Sequence, residues 1–489
     1  MPLLDAGQGT PAVTLTDLLA IEDTPELLAL CCPQTGIPVW PNVRIAFFRQ
    51  IMADLLFATG SVEPPAESRS WRAVGVLGRA AAHNVGAVFG KRLRSDVIIN
   101  TEAIGDELRD GRWFNRYVDP FGDLPSGRQA VVMANMFEWQ WRKPRHNERI
   151  YYHAPIQVGA VLAAKLVPRK TAMRLAQAVT ALACDRAKVT LGWEIGRARR
   201  AAFVQWSASK IAGLPFRYRA YRRLMQRVQP RLLLGSSGCY GAHAPLIAAA
   251  RDLGVVTAEY QHGAISSGHD AYNFAPAIFA SEAYRRTLPQ YLLTYGTWWS
   301  AQVTAPVECV AIGNPARAAK LDQMAPLHVD RRTVLILGDG IEFDLYLDLA
   351  RAIARAVAGT GLEVALRPHP LERTSVLQRH GGCIDGVRID VVPDIYTSFA
   401  QAHTVVSEVS TGLFEAVGLV ARTILLNTAK SRFAYPEHPF TAANTVQEVI
   451  GLIHNVPKTP RVDADALWSP DWKNNYKRFL SEKAGIDVE

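Results

Sequence analysis

Short apolar runs alternate with longer helical stretches along most of this chain, and the alternation happens twice. In the first half, "SDVIIN" (95–100), "QAVVMAN" (129–135), "PRLLLGSSG" (230–238), "GVVTAEYQHG" (254–263) and "QYLLTYG" (290–296) are short, aliphatic and bounded by Gly, Pro or polar turns. Such runs read as strands buried on both faces. Helical patterns fill 155–183, 187–211 and 243–252. In the second half "RTVLILGDG" (332–340), "LEVALRPHP" (362–370), "VRIDVVP" (387–393), "HTVVSEVS" (403–410) and "RTILLN" (422–427) alternate with "EFDLYLDLARAIARAVAG", "DIYTSFAQA" and "TGLFEAVGLV". That order builds a parallel sheet covered by helices on both faces. The sequence therefore predicts an α/β protein of two Rossmann-like, doubly wound domains facing across a cleft. Ligands of such sheets bind in the crevice at the carboxyl ends of the strands. Polar residues at such an end are therefore the candidates for function.

At 489 residues the chain is too long for one ordinary core. The expected division is an N-terminal helical extension (1–94), a first Rossmann-like domain (95–315), a linker (316–330) and a second Rossmann-like domain (331–489). The linker is placed in "IGNPARAAKLDQMAPLHVDRR" (312–332), which leaves a strand through Gly313-Asn314-Pro315 and then loses its patterning.

With 49% hydrophobic and 20% charged residues the composition is that of a globular protein and excludes disorder. The six cysteines are scattered, with no CxxC pair and no Cys/His cluster, so neither a zinc site nor a disulfide framework is expected. A reduced, cytoplasmic protein fits best. The N-terminus carries acids and lacks the pattern of a signal peptide, and no apolar run is long enough to span a bilayer. The net charge of +9 is concentrated: between Arg186 and Arg231 lie twelve basic residues and one acid, Glu194, interleaved with Trp193, Phe203, Trp206, Phe216, Tyr218 and Tyr221. This surface suits an anionic membrane, which would make the protein peripheral at the inner face of the plasma membrane. A solvated helix pair with its aromatics turned into the core is the alternative. Nucleic acid is not expected as a partner, because no helix-turn-helix, RRM or zinc-finger pattern accompanies the charge.

Four stretches could carry chemistry. In "AEYQHGAISSGHDAYNF" (258–274), Gln261, His262 and Gly263 end a strand, and His269 and Tyr272 follow closely. An imidazole there can act as a general base or donate to a phosphate, and Gly263 lets a ligand approach the backbone. In "ALRPHP" (365–370), Arg367 and His369 sit on a loop stiffened by proline, and two such cations suit a diphosphate. In "SEVSTGLFEAVG" (407–418), Ser410 and Thr411 start a helix, where hydroxyls and free N–H groups attract anions, and Glu415 could accept from ribose hydroxyls. In "LGDGIEFD" (337–344), Asp339 or Glu342 could be a catalytic carboxylate, although Gly-Asp-Gly is also an ordinary turn. The run "GSSGCYG" (235–241) matches neither GxGxxG nor the P-loop.

The QHG, RPHP and S-x-x-S-T-G-x-x-E-A segments, in that order, resemble bacterial glycosyltransferases of GT-B fold that build capsule and other surface polysaccharides. The likeness extends to CDP-glycerol glycerophosphotransferases and bacterial polysialyltransferases and is clearest from Pro230 to Asn427. It implies transfer of a sugar or polyol phosphate from a CMP-, CDP- or UDP-linked donor to a polysaccharide or lipid-linked acceptor. It makes His369, with Arg367, Ser410 and Thr411, a ligand of the donor phosphates, and turns His262 toward the acceptor. Only Gly338-Asp339-Gly340 stands where the polysialyltransferases carry an acidic "D/E-D/E-G" motif. No metal and no resident cofactor are expected, because cations and helix-start dipoles can stabilise the departing nucleotide and no DxD pair ends a strand. A sugar-nucleotide epimerase of the same architecture and a noncatalytic membrane or polysaccharide binder remain as alternatives.

Overall fold

The computed structural model describes residues 13–56, 71–89, 93–102, 105–124, 130–134, 139–166, 169–324, 331–340, 342–370, 372–454 and 463–488. The N-terminal half supplies β1 (Val97–Thr101), β2 (Asp106–Arg109), β3 (Arg112–Asn115), β4 (Val131–Ala134), β5 (Ile150–Tyr152), β6 (Leu232–Gly235), β7 (Val256–Tyr260), β8 (Tyr291–Thr294) and β9 (Glu308–Ala311). The C-terminal half supplies β10 (Thr333–Leu337), β11 (Glu363–Arg367), β12 (Cys383–Ile384), β13 (Val387–Ile389), β14 (Ala402–Ser407), β15 (Arg422–Leu426) and β16 (Thr441–Ala443).

Strand order decides the fold. The first sheet runs β5-β4-β1-β6-β7-β8-β9 and is parallel throughout. The second runs β12-β13-β11-β10-β14-β15-β16, parallel except for the short β12 hairpin at its edge. Each chain half winds outward from its first strand in one direction, returns, and winds outward in the other. The two domains are Rossmann-like and doubly wound, as in the GT-B arrangement. Their switch points lie between β1 and β6, where Ile98 pairs with Leu233, and between β10 and β14, where Ile336 pairs with Val406. Val97, Ile98, Ile99, Val334, Leu335 and Ile336 are all fully buried, which is why these runs carry no polar alternation.

The halves share one apolar core. Trp40, Tyr272 and Trp299 belong to the same buried cluster as Leu335, Leu413, Phe414 and Phe440. Trp299 packs on Phe414 with ring centroids 4.6 Å apart and donates its indole N–H to the Leu467 carbonyl at 2.8 Å. The expected boundary of 331–489 needs correction at its end. The helix Trp472–Ala484 returns to the first sheet, where Tyr476 meets Phe121 at 4.8 Å and Phe479 meets Tyr291 at 5.4 Å. The linker begins as the helix Pro315–Met324, while 325–330 lie outside the described residues. Among the described residues no helix is long and apolar enough to cross a membrane.

The first described helices hold the loop that follows β7. Arg44 is 1% exposed, pairs with Glu22 at 2.8 Å and donates to the Asn273 carbonyl at 2.8 Å. Burying two charges is costly, so the guanidinium's further bond to the Asp270 carbonyl helps to satisfy it and pins the loop backbone.

Candidate functional site

The loop after β7 combines anchoring residues with one whose buried ring nitrogen is left without a hydrogen-bond partner. Gln261 is buried; its side-chain N–H donates to the Gly263 carbonyl and its oxygen accepts the Tyr295 N–H, both at 2.8 Å. Tyr272 is 1% exposed and donates its hydroxyl to Glu259 at 2.7 Å; Glu259 also accepts the Cys239 N–H. Neither matches the acceptor-binding role expected for it, since the amide is spent on main chain and the phenol is in the core. His269 is half-buried and has both ring nitrogens engaged, its Nε2 3.1 Å from the Tyr240 hydroxyl and its Nδ1 accepting the Ala271 N–H.

His262 is the exception. Its ring stands beside Tyr240 with centroids 6.1 Å apart, and its buried Nδ1 has no hydrogen-bond partner. Burial pushes its pKa below the ordinary imidazole value, against the pull of Glu259 and Glu102. A neutral ring with an unused nitrogen is chemically equipped to accept a proton.

The switch point between β1 and β6 adds residues that the motif reading missed. Glu102 directly follows β1, and His243 precedes the helix Ala244–Arg251, with 3.9 Å between their side chains. Bonding to His243, partly offset by burial, holds the Glu102 carboxyl below its usual range, and Ser237 and the charge of His262 contribute. The signal for Glu102 was available, because it ends the first strand of a doubly wound sheet.

On the second sheet the loops after β10, β11 and β14 converge. Arg367 requires correction: it is 5% exposed, bonds Asp390 at 3.0 Å and Ser398 at 3.1 Å, and is not presented to a phosphate. His369 does face the crevice loops. Its ring lies so close to Gly340 that a Cβ there would come within 3.0 Å of it, and the backbone of Gly340 has a positive φ of 82°. Burial lowers the pKa of His369 and Asp339 opposes that shift.

Asp339 and Glu342 are not free carboxylates either. Both bind Lys430, which is 3.0 Å from Asp339 and 2.8 Å from Glu408. The three carboxylates lie within 4.8 Å of one another, a spacing a divalent ion could bridge, but the Lys430 ammonium already bonds all three. Tyr346 and Thr428 donate to Glu408 as well. Nothing in the sequence around Lys430 marked it.

Ser410 caps its own short helix, accepting the Gly412 N–H at 3.2 Å. Thr411 does something else. Its hydroxyl accepts the Ala264 N–H at 3.3 Å, so the QHG loop of the first sheet and the STG turn of the second meet directly. Gly263 is part of the contact, with room for a Cβ 3.9 Å from the same hydroxyl. Glu415 lies beside Tyr396, Arg116 and Arg317; burial raises its pKa and these three neighbours oppose the rise. It is thus held within the seam between the halves. A cavity of about 520 Å³ lined by Arg251, Asp252, Glu282 and Arg286 lies at the opposite, amino-terminal ends of β8 and β9. Arg286 and Asp252 pair within it at 2.6 Å, and it lies away from the carboxyl ends of the strands, so it is not the site.

No protein-family profile matches this chain, and no curated protein matches its sequence. Solved structures with some likeness include UDP-GlcNAc 2-epimerase from Neisseria meningitidis bound to UDP-GlcNAc, at 10% identity and TM-score 0.36 over 80% of this chain and 94% of that one. The glycosyltransferase SnogD from Streptomyces nogalater is similar at 10% identity and TM-score 0.36, over 81% and 96% of the two chains. The rhamnosyltransferase SpnG complexed with thymidine diphosphate is similar at 13% identity and TM-score 0.37, over 81% and 97%. Likeness at this level says nothing about activity; the fold rests on the strand order.

Proposed function

We propose that this protein is a glycosyltransferase that moves a sugar, or a polyol phosphate, from a CMP-, CDP- or UDP-linked donor to a surface-polysaccharide or lipid-linked acceptor. The observation that carries the reading is the meeting of two doubly wound sheets at the contact between Ala264 and Thr411, with His262, whose buried Nδ1 has no hydrogen-bond partner, two residues before it. The donor nucleotide lies at the second switch point, against His369 and the turn at Ser410 and Thr411. The acceptor enters from the first. Neutral His262 takes the proton of the acceptor hydroxyl as that oxygen attacks the activated carbon or phosphorus, and the nucleotide leaves with the bonding pair. His369 and the main-chain N–H groups of the turn stabilise the departing charge. Transfer is metal-independent in this reading, and activity should survive chelation with EDTA.

The test is a nucleotide panel (CMP, CDP, UDP, GDP, ADP) read by thermal shift, followed by a transfer assay. One nucleotide should stabilise the protein by about 2.7 kcal/mol at a hundredfold excess over its Kd. His369→Ala should lose that response. His262→Ala should keep it while transfer falls by at least about a hundredfold. A protein that responds to no nucleotide is not a nucleotide-sugar enzyme.

One observation favours a second reading. The Glu102 carboxylate lies 3.9 Å from the His243 ring, and a carboxylate facing a histidine is what a sugar-nucleotide epimerase would use. Product analysis with donor alone separates the two: conversion without acceptor identifies the epimerase.

A further inference from the structure

The 186–231 segment does not present its aromatics to solvent as a block. Trp193, Phe203 and Tyr221 are buried, and Trp193 donates to Asp54 at 3.0 Å. The unpartnered apolar surface lies on a neighbouring helix that the sequence did not single out. Along Ala154–Leu166, Val161, Leu162 and Leu166 are 58%, 54% and 86% exposed, and Leu162 and Leu166 share one face at a spacing of four. This helix packs against Arg197–Ala212 and Leu214–Val228: Gly159 lies against Phe216, and Gly213 against Ala160. Arg197–Ala212 in turn exposes Trp206, with the Lys210 ammonium 5.6 Å from its ring centroid.

Cations surround the apolar residues. Lys165, Arg169, Lys170 and Lys210 are all exposed. Acids are missing: none occurs between Arg149 and Ala183, and none between Ile195 and Arg251. Exposed apolar groups of this size mark an interaction site. A soluble polyanion would account for the lysines and leave Leu162 and Leu166 in water. An anionic bilayer accounts for both, because its headgroups meet the cations and its acyl boundary takes the apolar side chains.

We propose that the face built from Ala154–Leu166 and Arg197–Ala212 docks on an anionic membrane, independently of which reaction the cleft performs. Leu162, Leu166 and Trp206 enter the acyl boundary, and Lys165, Arg169, Lys170 and Lys210 meet lipid phosphates. The docking helix starts right after His153, whose ring lies 6.2 Å from that of His243 at the first switch point. At about 1.5 Å per residue, Leu162 is only about 12 Å further along. Docking therefore holds the acceptor side of the cleft close to the lipid surface.

The full chain is floated with vesicles of phosphatidylcholine alone and of phosphatidylcholine with phosphatidylglycerol. Binding is expected only to the second, and should weaken as salt is raised. Reversing Leu162→Glu with Leu166→Glu, or separately Lys165→Glu with Lys170→Glu, should lower binding by at least about tenfold, each cation being worth about fivefold. Both double variants should melt like the parent, since all four side chains are exposed. Equal binding to neutral vesicles, no binding to either, or parental binding by either variant overturns the proposal. Parental binding of the leucine variant to heparin, with vesicles ignored, would assign the face to a soluble polyanion and overturn it too.

Discussion

Lys430 sits among Asp339, Glu342 and Glu408, three carboxylates around one ammonium. Burial works against its charge, but Glu408, then Glu342 and Asp339, outweigh it and hold its pKa above that of an ordinary lysine. Lys430→Met would leave the carboxylates facing one another without a counter-charge. The expected loss at neutral pH is about 3–5 kcal/mol. The sign of its pH dependence follows from the charges: protonating one of the three carboxylates relieves their mutual repulsion in the folded variant, so the deficit shrinks as pH falls. Urea unfolding at about pH 7.5 and about pH 5 checks this, and an equal deficit at both would assign the loss to packing. His262 carries the other residue-scale prediction. Its lowered pKa keeps the ring neutral at neutral pH, so the acidic limb of kcat/KM should fall below about 6.5, and a limb at or above that value would count against His262 as the base. Strand-end position was readable for His262 and Arg367 alike. What separates them was not: Arg367 meets Asp390 because β13 lies beside β11, a neighbourhood that exists only once the sheet has formed.

The loop after β7 is the element on which the site depends, and Gly268 shows how closely it is seated. A Cβ at Gly268 would lie 1.8 Å from the Phe433 carbonyl oxygen, on the helix Ala429–Ala434 that carries Lys430. Main chain must separate to admit it. Gly268→Ala should cost about 1–3 kcal/mol and lift the loop from the second domain. Thermal unfolding and the transfer assay would both register the change, and a variant with parental melting and turnover would show that the seam is not needed. At this scale the sequence was most readable where periodicity was long. The five runs named in each half all became strands, because each holds buried aliphatic side chains within a short run bounded by turn residues. β9 was read only as the strand left through Gly313-Asn314-Pro315, and β2, β3, β5, β12 and β16 were not named: they have two to four residues each, in a separate hairpin or at the edges of the large sheets, too short for a pattern. "TGLFEAVGLV" reads as a full helix but holds helical form only over Thr411–Glu415, with Gly418 at φ 80° in the turn that follows. The expected helices 155–183 and 187–211 resolve into Ala154–Leu166, Lys170–Leu191 and Arg197–Ala212, with Gly192 left-handed between the last two.

For the whole molecule, the apolar cluster that runs from Trp40 through Trp299 to Phe414 and Phe440 joins what the strand orders divide. Two-domain chains commonly melt in steps. This one should show a single calorimetric transition, with calorimetric and van't Hoff enthalpies that agree, because neither sheet can expose the shared aromatics while the other stays folded. Two resolved transitions would refute it. Hinge motion between the halves should be correspondingly small, since large apolar interfaces suppress it. The return of Trp472–Ala484 to the first sheet has a consequence for how the protein is made. Tyr476, Phe479 and Leu480 fill the core over β1 and β6, yet the ribosome reaches them only after the entire second sheet has been translated. At roughly 5–20 residues per second, the nascent first domain waits about ten to thirty seconds beyond Ala311 with that apolar floor uncovered. During that interval it is a natural client for a chaperone, and its sheet, although the first to emerge, is covered only after the second has been made.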